Sequence, residues 1–163
     1  MSPAKILVSQ SNRSHVIKLV GDVRVTLCAS LNDYMETIFK SDEISEIIVD
    51  MTDTHGVDST TLGLLAKLAI YSNNRFEIRP IVFCPDESLY KTLMVMGLDD
   101  VFEIVQSLRS RLESYEELPA NSGVAIADRT KQHVLEAHRL LSSFNEKNKH
   151  DFLDLIKALE EEK

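Results

Sequence analysis

The side chains best placed to do chemistry are the hydroxyl run Ser59-Thr60-Thr61, with Asp58 directly before it and His55 three residues further back. A serine beside a histidine raises the question of a hydrolase. A Ser–His nucleophile also needs an orienting third group and an oxyanion hole. The chain holds no G-x-S-x-G elbow to supply that geometry. Asp and Ser together have a simpler use: their oxygens accept the orphan backbone N–H groups at a helix start. Position 62 is Leu, so no Glu or Gln completes a capping box from Ser59. Such a start also tolerates a phosphate, which meets free N–H groups and the positive end of the helix dipole.

The remaining candidates are weaker. His133 and His138 lie five apart, the wrong spacing for one helical face, and H-E-x-x-H is absent. They read as solvated helix polarity in preference to a zinc pair or a phosphotransfer histidine. Asp86-Glu87 and Asp99-Asp100 read as loop and cap carboxylates, and no Gly-rich phosphate loop is present. Cys28 and Cys84 lack C-x-x-C spacing and read as two buried thiols in a reducing compartment. The expectation is a chain without metal, cofactor or catalytic residue: not an enzyme.

The elements that position Ser59 follow from periodicity. Lys5–Gln10 and His15–Val20 alternate apolar and polar around the turn Ser11-Asn12-Arg13-Ser14, which predicts a hairpin. Leu27, Leu31, Tyr34, Met35, Ile38 and Phe39 share one helical face. Glu46–Asp50 is a β-branched run suited to a strand buried on both faces. After a loop over Thr52–Val57, a helix runs from Asp58-Ser59 to about Asn74. Its apolar residues nearly encircle the axis, so it must be largely buried. Pro80–Cys84 predicts a strand, Ser88–Met96 a helix capped by Ser88 and closed by Gly97, and Val101–Val105 the last strand. A further helix is expected over Leu108–Leu118. Strands alternating with helices give an α/β fold with a mostly parallel four- to five-stranded sheet.

Pro119-Ala120-Asn121-Ser122-Gly123 is a linker signal. Beyond it, Val134, Ala137, Leu141 and Phe144, then Phe152, Ile156 and Leu159, follow three-four spacing. The division is a domain over 1–118, a linker over 119–127 and a helical tail over 128–163. The tail has too few apolar residues for a core of its own, so its stripe must cover something, and it is expected to contribute to partner choice or self-association.

The chain has 163 residues and is 44% apolar, enough for a self-sufficient core. Its net charge of −8, with no basic run, argues against nucleic acid and for protein partners. The N-terminal MSPAKILVSQ has no signal-peptide pattern, and no apolar run approaches the ~20 residues of a membrane span. A soluble cytoplasmic protein is expected.

Three stretches carry a family resemblance. Ile47-Ile48-Val49-Asp50 leading to Val57-Asp58-Ser59-Thr60-Thr61-Leu62-Gly63 resembles the strand, loop and D-S-[ST]-x-L-G helix start of STAS domains. Leu19-Val20-Gly21-Asp22-Val23 is similar to that family's G-[DE]-[LV] turn, and Met96–Phe102 to its G-L-x-x-[VIL]-[FL] ending. The resemblance implies an anti-sigma factor antagonist. Such a protein binds an anti-sigma factor, is switched by a partner serine kinase acting on the helix-start serine, here Ser59, and is restored by a phosphatase. It also implies a partner surface comprising Asp22, Arg24, Asp58, Ser59, Thr60 and Thr61. Two departures stand out. Thr60-Thr61 replace the family's frequent second serine and glycine, and Arg24 stands where an acidic residue is frequent. The Val134–Leu141 run is similar to tails of a proteobacterial subgroup tied to flagellar and biofilm control. The alternative is a STAS scaffold subunit of a transporter or stress-sensing assembly.

Overall fold

The structure is a computed structural model that describes residues 3–107, 116–120 and 127–161. It opens with a hairpin of β1 (Lys5–Ser11) and β2 (Ser14–Val23), paired antiparallel from Lys5↔Val20 to Ser11↔Ser14. A 3-10 turn over Val25–Leu27 leads into α1 (Cys28–Phe39). Then come β3 (Glu46–Asp50), β4 (Thr54–Val57), α2 (Ser59–Phe76), β5 (Ile81–Phe83), α3 (Glu87–Val95) and β6 (Glu103–Val105). The described residues end with β7 (Glu116–Leu118), α4 (Ala127–Ser142) and α5 (Glu146–Glu161).

The strand order is β6-β5-β3-β2-β1-β7, parallel from β6 to β2 and antiparallel across β1, with β4 pairing β2 off this path. The expected α/β architecture with its opening hairpin is present. Ile47, Ile48 and Val49 of β3 are all buried, as a strand covered on both faces requires. The core joins Ile17 and Leu19 of β2 and Val49 of β3 to Leu31, Met35 and Ile38 of α1, Leu65 and Leu68 of α2, and Phe102.

Three local expectations are corrected. Thr52–Val57 is not simply a loop: Thr54–Val57 forms β4, because β2 outruns β3. The β2–β3 ladder stops at Lys18↔Asp50, and Gly21–Val23 then pair with Thr54–Val57. Within the expected Leu108–Leu118 helix, residues 116–118 are the strand β7, which pairs with the outer edge of β1 from Ile6↔Leu118 to Val8↔Glu116; residues 108–115 lie outside the described residues. An open strand edge offers a row of unpaired backbone groups, which outweighs weak local preference. The cap of α3 is Asp86, not Ser88: its side chain accepts from the Leu89 N–H at 2.8 Å. Gly97 does follow α3 in the left-handed conformation, at φ 87°.

The tail stripe finds its cover on the body. Helix α4 lies on α2, and Leu135, Ala137, His138 and Leu141 are buried there. With the sheet on one side and α4 on the other, α2 is buried from Thr60 to Ala69 without interruption. The α4–α5 turn is tied to the end of α3 by Asn148, whose amide donates to the carbonyls of Met96 at 2.6 Å and Leu141 at 2.9 Å.

Candidate functional site

The helix start at Ser59 is built by Asp58. Asp58 is the cap residue, with extended backbone, and its Oδ1 accepts from the Thr61 N–H at 2.9 Å and the Thr61 hydroxyl at 2.8 Å. Its Oδ2 accepts from the Val25 N–H at 2.8 Å, which ties the turn after β2 to the start of α2. One carboxylate thus takes the whole capping role. Ser59, the first helical residue, keeps its hydroxyl for something else.

That hydroxyl points to the tail. Ser59 Oγ lies 2.5 Å from His138 Nε2, and His138 Nδ1 lies 2.6 Å from the Val134 carbonyl oxygen. A carbonyl only accepts, so Nδ1 carries the proton. In the neutral imidazole Nε2 is then the acceptor, and Ser59 donates to it. Phe152 of α5 packs on the imidazole in a T-shaped arrangement, at 4.9 Å between ring centroids. His138 is 1% exposed. The reading of His138 as solvated polarity is therefore overturned. The five-residue step to His133 was the wrong comparison: His138 sits four residues after Val134 and three before Leu141, on the apolar stripe itself.

A Ser–His hydrogen bond suggests a nucleophile, but here Nδ1 is held by a carbonyl and not by a carboxylate. His138 is buried against α4 and Phe152, while Ser59 is half-buried. His55, the partner considered from the sequence, is exposed on β4.

The other expected partner-surface residues divide into two groups. Asp22 and Arg24 are exposed and joined by an ion pair at 2.8 Å. Thr60 and Thr61 are buried, so with the tail docked neither presents a surface to a partner. Cys28 is buried near Asp58 and Thr61. Burial pushes its thiol up to about 12; the Asp58 charge adds to the rise and the Thr61 hydrogen bond opposes it. It is inert as a nucleophile.

Two further contacts fix α4 over this face. Gly63 meets Ala137 so closely that a Cβ on Gly63 would lie 2.3 Å from Ala137 Cβ and 2.4 Å from its carbonyl oxygen. Lys67, 8% exposed, bridges three helices: it donates to Asn32 of α1 at 3.0 Å and pairs with Glu136 of α4 at 2.7 Å.

Asp58→Ala is expected to lower the unfolding free energy by about 2 kcal/mol. It removes a helix cap, worth about 0.5–2 kcal/mol, and takes the carboxylate acceptor from the Val25 N–H. Urea denaturation checks this; a loss under about 0.5 kcal/mol would mean that another group caps α2.

No helix among the described residues is long and apolar enough to cross a membrane. None of the curated proteins compared with the chain matches it. Among known protein families, the STAS domain matches residues 5–111, a span that includes β1 to β6 and the Ser59 helix start. Such a match supports a role in anti-sigma antagonism or as a STAS scaffold, acting through regulatory protein partners. With well over half of its length matched and the α/β architecture in place, the chain belongs to the STAS domain family.

Proposed function

We propose that the protein is a non-catalytic, phospho-switched anti-sigma factor antagonist. It binds an anti-sigma factor or related regulator when Ser59 carries a free hydroxyl, and changes partner when a serine kinase phosphorylates Ser59. A phosphatase reverses the change. The observation that carries this reading is the division of labour at the start of α2. Asp58 alone caps the helix, so the Ser59 hydroxyl has no structural duty within the STAS body, and its partner, His138, belongs to the tail. A phosphate there adds a charge of about −1.5 to −2 at a helix N-terminus without unmaking the cap. Exposed Asp22 and Arg24 belong to the same partner surface in this reading.

The test is capture of the protein from its native cell with and without phosphatase treatment, followed by mass spectrometry. The expected result is phosphate on Ser59 and a co-purifying regulator whose recovery depends on the treatment. A regulator recovered equally in both arms, with Ser59 never modified, would favour a constitutive scaffold.

A further inference from the structure

The tail lies outside the matched family span, yet it touches the residue on which the switch depends. We propose that α4 is a displaceable cover over the Ser59 face of α2, that the Ser59 hydroxyl is its latch, and that phosphorylation of Ser59 ejects it. This rests on the reading of Ser59 as a phosphoacceptor. The surface beneath is a protein-docking face, and its resident occupant is this chain's own helix.

Three contacts define the latch. His138 Nε2 accepts the Ser59 proton at 2.5 Å. Gly63 and Ala137 cross with no room for one further carbon atom. Lys67 holds Glu136 at 2.7 Å. Phosphoryl transfer from a nucleoside triphosphate forms the Oγ–P bond and breaks the bond to the bridging oxygen. Nucleoside diphosphate leaves, and the hydroxyl proton passes to the kinase. The product has lost the proton that His138 accepted. It places a phosphorus and three oxygens where 2.5 Å separated Oγ from the ring.

The charge is no better placed than the bulk. Asp58 is the adjacent carboxylate, and Lys67 lies eight residues along the helix, about 12 Å away at 1.5 Å per residue. Lys67 is already paired with Glu136. The cover and the phosphate therefore exclude each other. In the closed form the half-buried Ser59 hydroxyl is engaged by His138, so the open form is the better kinase substrate.

The face that opens has stated chemistry: a glycine floor at Gly63, with the Lys67 cation one helical turn further on. A partner helix that replaces α4 must bring a small residue over Gly63 and a carboxylate to Lys67.

The test is hydrogen exchange on the full-length chain, unmodified and with phosphoserine incorporated at position 59 during translation. Amides of Ala127–Ser142 are expected to exchange at least tenfold faster in the phosphoserine form, with β1 to β6 unchanged. Gly63→Ala should produce the same pattern without phosphate. If that variant also loosens the body, Ala137→Leu tests the same crossing from the tail side. Unchanged or increased protection of α4 in the phosphoserine protein, as an imidazolium–phosphate clamp would give, overturns the proposal. So does unchanged protection in both crossing variants. The phosphoserine is installed by translation, so the outcome stands even if native protein carries no phosphate on Ser59, which would sink the switch reading alone.

Discussion

Ser59→Asp binds the captured regulator about 30-fold more weakly than wild type, while the STAS body melts as before: this is the expected result of calorimetric titration with parallel thermal unfolding. A charge left unpaired in an interface commonly costs about 2–5 kcal/mol, and each 1.4 kcal/mol is roughly tenfold in affinity. The low end of that range gives the 30-fold figure, fitting for a single carboxylate that carries less charge than a phosphate. The body is spared because Asp58, not Ser59, caps α2. Ser59→Ala should keep the regulator bound, since it adds neither charge nor bulk. It does orphan His138 Nε2, which weakens tail docking by about 1–2 kcal/mol. Equal affinities for wild type, alanine and aspartate would remove Ser59 from the interface.

Ending the chain after Leu118 should leave a cooperatively folded protein that is less stable by about 2–4 kcal/mol. The strand β7 is retained, and with it the cover on the edge of β1. The core of Ile17, Leu19, Val49, Leu65 and Phe102 lies wholly within the remaining chain. What is lost is the packing of Leu141, Phe144 and Phe152 against that core. A fully buried side chain of this kind is worth about 1.5–3 kcal/mol, and the entropy of ordering the tail offsets part of the sum. Urea denaturation of the two chains gives the difference. Loss of the cooperative transition would make the tail part of the folding unit, and no loss at all would mean that α4 is not docked in solution.

Much of this arrangement was legible from side-chain pattern. The apolar residues of α2 circle its axis because it is covered twice, by the sheet and by α4. The tail's stripe without a core of its own is the other half of that contact. Asp58 before Ser59 marked the helix start correctly, although sequence could not assign the cap to one residue or the other; the hydrogen bonds of Asp58 do so. Apart from the α3 cap, where Asp86 and Ser88 are both plausible capping residues, the failures share a cause in partners distant along the chain. Glu116-Glu117-Leu118 has little intrinsic strand preference, and only the exposed edge of β1 makes it a strand. Thr54–Val57 contains a glycine and reads as a loop until β2 is seen to outrun β3. His138 shares its stripe with Val134 and Leu141, but a polar residue on an apolar face declares a partner only when the partner is known. That partner lies 79 residues away.

The tether between body and tail gives the Ser59–His138 contact a property that no free inhibitor has. A separate helix with the same side chains would bind according to its abundance. A covalently attached one meets its target at a fixed local concentration, on the order of millimolar for a short connection. Diluting the protein or raising its expression leaves the closed fraction unchanged. A regulator competing for the same face sees its apparent dissociation constant raised by the inverse of the open fraction, whatever the protein level. In the proposed switch, sensitivity is then written into the chain itself, through the fit of Ala137 over Gly63 and one hydroxyl proton.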